Sequence, residues 1–260
     1  MTFILLALVI AGAGLYALRG AFAGISGLHV TGLDRDGMGM GLLAILAAGY
    51  FWGPTYGVAL ILVVALHEFG HVAAYRICGH SDARFRLVPL MGGVAISNRL
   101  PASQEKAFFI ALMGPAIWIG PMLLALGLSD LIYDRAPAVG DFLWVVGQVA
   151  GALNFFNLLP LYPLDGARCI RYVFFTFFPS QITNLTYAMS GAMLVVALMM
   201  HSILMVVFCL ISARQMLQST DLVRIQRRMG KGRALLCLGA YLATAGTFYL
   251  GGENLIAGFL

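Results

Sequence analysis

The chain has 260 residues, of which 61% are hydrophobic and only 10% are charged. Its mean hydropathy is +0.90, whereas an average soluble domain carries roughly 25% charged residues. This composition excludes an ordinary soluble protein. The net charge of +5 does not by itself distinguish one class of protein from another. It predicts an all-α polytopic membrane protein, a bundle of about 6–8 transmembrane helices.

Eight apolar segments, separated by short polar joints, are the predicted membrane crossings. A helix needs about 20 residues to cross the hydrocarbon core. The second and seventh segments are short for this, so the predicted count stays between six and eight. The segments are residues 2–18, 38–53, 56–78, 107–129, 141–162, 182–200, 202–216 and 234–251. We group them as N-terminal transmembrane segments (1–55), a core that carries the chemical motifs (56–171) and C-terminal transmembrane segments (172–260).

Basic residues gather in three of the joints, at residues 76–106, 168–171 and 214–233. By the positive-inside rule these joints face the cytoplasm. The stretch "DLVRIQRRMGKGR" could also bind nucleic acid or anionic lipid. Because it directly adjoins a membrane span, it fits a topology signal better, and we predict no nucleic-acid partner. The expected location is the plasma membrane.

A short motif in the third apolar segment, "ALHEFGHVAAYR", contains His67, Glu68 and His71. Residues four apart lie on one face of a helix, so both imidazoles can reach one ion. Zn²⁺ takes imidazole ligands, and a neighbouring carboxylate can serve as the base. Ionisable groups in a bilayer cost about 2.5–3.5 kcal/mol each, which favours a functional role. The alternative is a set of helix-packing residues that hydrogen-bond to one another.

Two histidines leave a catalytic zinc site incomplete, because such sites have three protein ligands and a water. Asp165, in "NFFNLLPLYPLDGARCI", is the acidic residue placed to complete it at the edge of an apolar segment. Pro160 and Pro163 before it and Gly166 after it predict an irregular backbone that can turn the carboxylate toward an ion. Other acidic residues are placed less well for this role: Asp130 and Asp141 lie at outward helix ends, and polar stretches contain Asp82, Glu105 and Asp221.

Four stretches in order resemble the site-2 protease family of intramembrane zinc metalloproteases: "LHEFGHVAAYRICG", "VPLMGGVA", "EKAFFIALMGP" and "NLLPLYPLDGARCI". The resemblance implies that His67, His71 and Asp165 bind Zn²⁺ and that Glu68 is the catalytic base. It also implies that Asn157 holds the substrate carbonyl, while a hydrogen bond between helices remains the alternative for this residue.

The chain departs from the family pattern in two places. Ala167 stands where relatives often have a second glycine after Leu-Asp-Gly, and "AIWI" follows Gly-Pro where they often have an asparagine. Neither departure touches a predicted ligand. Both could alter helix packing beside the site, so no role of that asparagine is carried over to this chain.

The loop "DARFRLVPLMGGVAIS" alternates apolar and polar residues around two glycines, which predicts a small membrane-associated β-hairpin. Its edge could pair with an unwound substrate as an added strand. A surface hairpin that merely links two helices is the alternative. The predicted substrate-binding residues are Leu90, Met91, Gly92, Gly93 and Val94.

The sequence therefore predicts a zinc metalloendopeptidase that hydrolyses a peptide bond within or near a transmembrane segment of a single-span membrane protein. Release of a signalling factor is the expected purpose, and a regulatory membrane protein is a further expected partner. The alternatives are a divalent-metal-binding membrane transporter and a non-catalytic binder of membrane proteins. A transporter should string ionisable residues along several spans, and a silent binder would not require Glu68.

Overall fold

The computed structural model describes residues 2–22, 30–31, 49–50, 53–88, 92–201, 203, 206–207, 209 and 221–258. The described chain is mostly helical, and six of its helical stretches are long and apolar enough to cross a membrane. They are Ile4–Ala21, Pro54–Ile77, Gln104–Ile132, Pro137–Asn157, Pro179–Met199 and Lys231–Gly251. This confirms the multi-pass helical membrane protein. The predicted spans at 38–53 and 202–216 lie largely outside the described residues.

Nine α-helices have both ends within the described residues. They are α1 (Thr2–Phe22), α2 (Pro54–Ile77), α3 (Gln104–Ala116), α4 (Ile119–Ile132), α5 (Pro137–Asn157), α6 (Asp165–Phe177), α7 (Ile182–Met199), α8 (Lys231–Gly251) and α9 (Glu253–Ala257). Pro54 and Pro137 each stand at the first position of a helix, where a missing N–H has no intrahelical partner to lose. The predicted span 107–129 consists of two helices, α3 and α4, with Pro115 in the last turn of α3.

The six spans differ in how much protein surrounds them. Half or slightly more of Pro54–Ile77, Gln104–Ile132 and Pro137–Asn157 is buried, whereas the other three are only 17–28% buried. Large apolar side chains such as Val9, Leu236 and Leu250 are 68%, 76% and 68% exposed. An exposed apolar surface of this kind suits lipid and not water. The three more buried spans are therefore the ones that can shelter a polar site.

The chain divides into two compact units. The first comprises Met1–Arg99, Met113–Phe156 and Thr244–Leu260. In this unit α1 packs against α2 and α4, and Leu18, Ala21 and Ala73 form a buried apolar cluster. The Trp118 indole N–H donates to the carbonyl of Val63 at 2.8 Å, which gives the buried indole its polar partner.

The first unit contains a three-stranded sheet, with one strand before α2 and two after it. Its strands are β1 (Val30–Thr31), β2 (Arg84–Val88) and β3 (Gly92–Ile96), in the order β1-β2-β3. β1 runs parallel to β2. β3 pairs antiparallel with β2, so that Arg84 lies opposite Ile96 and Val88 opposite Gly92. Leu90 and Met91 come between β2 and β3 in the sequence and lie outside the described residues. The association of this hairpin with a membrane stays a prediction.

Polar contacts close the base of this hairpin. The carboxylate of Asp82 accepts a hydrogen bond from the Asn98 backbone N–H at 2.7 Å and one from the Ser97 hydroxyl at 3.2 Å. The bond from Asn98 holds the pKa of Asp82 below its ordinary value. Nδ1 of His80, which is 5% exposed, lies 2.8 Å from the same Ser97 oxygen. The two ends of the hairpin are thereby tied together next to the end of α2.

The second unit comprises Leu100–Leu112 and Asn157–Ala243. Here α6 packs on α7 through a buried cluster of Tyr162, Ala167 and Met189. The fully buried Gln104, at the start of α3, donates to the Val223 carbonyl at 2.9 Å and accepts from the Met229 N–H at 3.1 Å. These bonds attach the basic stretch before α8 to the start of α3.

Candidate metal centre

His67 and His71 lie one turn apart on α2, and both are buried, at 4% and 5% exposure. Their Nε2 atoms face each other at 3.2 Å, with the rings nearly perpendicular at 78°. Two ligands of a tetrahedral zinc ion, each about 2.0–2.1 Å from the metal, lie roughly 3.3 Å apart. The separation of the two nitrogens therefore fits two ligands of one zinc ion.

A close approach between α2 and α3 holds the second histidine. A Cβ atom at Gly114 would fall on the Nε2, Cε1 and Cδ2 atoms of the His71 ring. A Cβ at Gly70, next to His71 in the chain, would fall on the backbone carbonyl of Met113. Gly70 of α2 and Gly114 of α3 each lie against the opposite helix, so the two backbones approach closely. Gly114 therefore packs directly against the imidazole of His71.

Asp165 is the first residue of α6 and is 8% exposed. A helix N-terminus favours negative charge, because its first N–H groups and its dipole point toward the carboxylate. The guanidinium of Arg168 lies 3.3 Å from the Asp165 carboxylate in the same turn. The irregular backbone predicted before Asp165 is present, since α5 ends at Asn157 and α6 begins only at Asp165.

The prediction that Gly166 interrupts the helix after Asp165 is wrong. Gly166 lies inside the first turn of α6, and a Cβ there would fall on the backbone carbonyls of Leu158 and Leu159. The glycine is thus required for the close return of the chain after α5. It permits the helix to start at Asp165.

The structure brings the three predicted metal ligands together. One ligand atom from each of His67, His71 and Asp165 lies within 4.8 Å of the others, and all three residues are buried. Two imidazoles and one carboxylate form a donor set found at catalytic zinc centres. Within the part of the chain that the structure describes, this is the one group of three or more His, Cys, Asp or Glu side chains able to hold a metal ion. The donor set fits Zn²⁺.

The other predicted site residues lie on α2, on α5 and in the hairpin. Glu68 is half-buried and follows the first histidine directly on α2, while Asn157 is half-buried and is the last residue of α5. Gly92, Gly93 and Val94 belong to β3 by their backbone. The catalytic and substrate-binding roles of these residues stay predictions.

Asn154 is the site residue that the sequence interpretation missed. It is fully buried in α5, and its Oδ1 lies 2.7 Å from Nδ1 of His67. Its amide nitrogen donates to the backbone carbonyl of Ala150 at 2.8 Å. The signal was a polar residue in the apolar stretch "GALNFFN", but the motif directed attention to Asn157 instead.

Arg171 belongs to the basic joint at 168–171, but its side chain does not lie at the surface. It is only 3% exposed, and its guanidinium carbon lies 5.8 Å from the centre of the Tyr162 ring. Arg171 of α6 is therefore an interior residue, where a delocalised cation can lie against an aromatic face.

No protein-family model matches the chain. A zinc metalloprotease of Methanocaldococcus jannaschii is 30% identical over 132 residues, which are 50% of this chain and 37% of that protein. Stage IV sporulation protein FB of Bacillus subtilis is 27% identical over 143 residues, 54% of this chain and 48% of that protein. The chain thus spans less than half of the length of these curated relatives.

Among solved structures, the site-2 protease from Methanocaldococcus jannaschii matches 70% of this chain and 86% of its own, with 21% identity and a TM-score of 0.46. Further curated relatives are also named as zinc metalloproteases, among them a protein of Synechocystis that is 30% identical over 130 residues, 48% of this chain and 33% of its own length. The names of the curated relatives confirm the similarity to zinc metalloproteases that the motifs indicate.

Proposed function

We propose that this chain is an intramembrane zinc metalloprotease that hydrolyses a peptide bond within or near a transmembrane segment of a membrane protein. The observation that carries the proposal is the buried cluster of His67, His71 and Asp165, with Glu68 adjacent to the first ligand on an apolar helix. The naming of the curated relatives as zinc metalloproteases supports it.

In the proposed reaction, each of the chain's own site residues has one role. Zn²⁺, when bound, supplies a Lewis acid and lowers the pKa of a water toward about 7. Glu68 takes a proton from the attacking water and delivers it to the leaving amine. Asn157 donates a hydrogen bond to the oxygen that becomes negative, which is worth on the order of 100-fold or more in rate at comparable sites. His67, His71 and Asp165 would hold the ion, and their burial keeps the site away from bulk water.

The substrate must present an extended backbone, because a helical peptide bond has its carbonyl hydrogen-bonded and covered by side chains. The edge of the sheet can bind such an extended backbone. β2 is the central strand, so among the described strands the edges are those of β1 and β3. β3 contains no proline, and an unwound substrate strand can pair along it through main-chain hydrogen bonds. Binding by Leu90, Met91, Gly92, Gly93 and Val94 belongs to this part of the proposal.

The remaining parts of the proposal concern the cellular setting. Basic residues at 76–106, 168–171 and 214–233 support a site on the cytoplasmic side of the plasma membrane. The substrate is a single-span membrane protein, and its cleavage releases a signalling factor. A regulatory membrane protein serves as a further partner, and no nucleic acid is bound.

Glu68→Gln tests the proposal. A panel of single-span reporter proteins, each with a different epitope on either side of its transmembrane helix, is co-expressed with the wild-type chain to find one that is cut. We expect Glu68→Gln to slow the cleavage of that reporter by about 10²–10⁴-fold, with an unchanged zinc content. The matched control is Glu253→Gln, the same chemical change at an exposed residue of α9, which should cut at the wild-type rate.

The outcomes separate the proposed function from the alternatives. A variant that keeps its zinc and cuts at the wild-type rate removes Glu68 from the mechanism. Zinc uptake into vesicles that contain the purified chain, in the absence of any cleavage, would indicate the transporter instead. Zinc binding with neither uptake nor cleavage of any reporter would indicate the non-catalytic binder.

A further inference from the structure

We infer that Asn154 is a positioning residue that selects the tautomer of the neutral His67 imidazole, so that the lone pair on Nε2 is the one directed to the metal. The inference rests on the metal centre of the proposed function and not on peptide hydrolysis. It adds to the histidine pair a third side chain, from a different helix, that the motif does not contain.

The first step is the orientation of the Asn154 amide. A backbone carbonyl can only accept hydrogen bonds, so the group 2.8 Å from the Ala150 oxygen has to be the amide nitrogen. The amide oxygen is then the atom that faces His67 at 2.7 Å. The reverse orientation would place two oxygens against each other at hydrogen-bond distance. The Ala150 carbonyl, which is part of the α5 backbone, thus determines which way the amide points.

The second step is the tautomer of the imidazole. An amide oxygen is an acceptor, so Nδ1 of His67 has to carry the proton. A neutral imidazole with a proton on Nδ1 has its lone pair on Nε2. This is the nitrogen that lies 3.2 Å from Nε2 of His71. The hydrogen bond therefore selects the tautomer whose free lone pair points to the place shared with the other histidine.

The third step is burial. Asn154 is fully buried and His67 is 4% exposed. At such depth, an unsatisfied polar atom costs on the order of 1–3 kcal/mol, and a wrong tautomer would leave the Asn154 oxygen without a donor from the ring. Partners of this kind at metal-bound histidines are typically worth 10–100-fold in metal affinity.

The test replaces Asn154 by leucine, which has a similar size but no acceptor, and by aspartate, which keeps an acceptor oxygen for Nδ1 of His67 but loses the donor to the Ala150 carbonyl. The zinc dissociation constant is measured by competition with a chromophoric chelator, on the full chain in detergent micelles. We expect Asn154→Leu to bind zinc about 10–100-fold more weakly and Asn154→Asp to bind zinc more tightly than Asn154→Leu does.

The matched control is Gln148→Leu on the same helix. Gln148 is also buried, at 4% exposure, and its amide donates to the Gly251 carbonyl at 3.2 Å. Its loss removes a buried polar contact of α5 that does not involve a histidine. We expect Gln148→Leu to lower the unfolding temperature of the metal-free protein and to leave the zinc affinity unchanged.

A spectroscopic measurement covers the case in which Asn154→Leu does not fold. In the zinc-loaded wild-type protein with ¹⁵N-labelled histidine, the His67 signals should show a protonated Nδ1 and a metal-bound Nε2. A proton on Nε2 would overturn the inference. Wild-type zinc affinity in Asn154→Leu, or an equal loss of affinity in Asn154→Leu and Gln148→Leu, would also overturn it. Either result on zinc binding leaves the role of Glu68 in hydrolysis to its own test.

Discussion

Replacing Gly114 by alanine tests whether the close contact between α2 and α3 sets the geometry of the metal centre. The added Cβ would overlap three ring atoms of His71. That ring is 5% exposed and faces the imidazole of His67 across 3.2 Å. It cannot turn away freely, so the variant must displace the ring, move the two helices apart, or do both.

The size of the effect differs between folding and metal binding. In a helix, alanine is favoured over glycine by about 0.8–1 kcal/mol, while overpacking in a tight interior costs about 1–3 kcal/mol. The metal-free variant should therefore be destabilised by at most about 2 kcal/mol. The ring, however, has to move by more than about 1 Å to regain ordinary contact, whereas ligand distances at a metal tolerate about 0.2 Å. We expect the zinc affinity to fall at least about tenfold.

The assay pairs chelator competition for zinc with thermal unfolding of the metal-free protein. Gly239→Ala on α8 is the matched control, because a Cβ at this position meets no atom within 4 Å. It should bind zinc as the wild type does. If Gly114→Ala bound zinc with wild-type affinity, the contact with His71 would have no part in arranging the ligands.

Two further predictions concern the carboxylates. Asp165→Asn should lose most of its zinc in metal analysis after dialysis, because one of three ligands is gone. Arg168→Gln should keep its zinc, since the Arg168 side chain is 36% exposed and an ion pair screened by solvent is worth little. The pKa of Asp82 is lowered in the folded chain, because the carboxylate accepts hydrogen bonds from Asn98 and Ser97. These bonds stabilise the base of the hairpin at pH values above 3.8, the ordinary pKa of the group. The stabilisation is lost as the pH falls through the lowered pKa. The protection factor of the Asn98 amide in hydrogen exchange should drop in that acidic range, and a protection factor that stayed constant there would contradict this assignment.

The features that the sequence predicted correctly depend on local geometry. His67 and His71 meet because residues four apart on any helix share a face, and α2 is an unbroken helix from Pro54 to Ile77. The six spans follow from length and hydropathy alone. Asp165 could be singled out because few acidic residues lie beside an apolar segment.

The features that the sequence did not predict depend on contacts between distant segments. Asn154 and Asn157 lie three residues apart and share a helix face, so periodicity cannot tell which of them faces a histidine. Arg171 stands in a basic joint, and the sequence does not show that its side chain is buried near the Tyr162 ring. The sequence pattern predicted an interruption at Gly166, because it could not show that the glycine is needed where the Leu158 and Leu159 carbonyls approach α6.

The ligands of the metal centre come from two different backbone arrangements. The histidine pair lies on a continuous helix, and its geometry is held by contacts from other helices, namely the Gly114 wall against His71 and the Asn154 oxygen at His67. Asp165 instead opens a new helix after a break, where the helix dipole favours its negative charge. The pair thus receives contacts from α3 and α5 in addition to its own helix geometry. Removal of Asp165 should weaken metal binding through the loss of one ligand, whereas changes at Gly114 or Asn154 act on the imidazoles themselves.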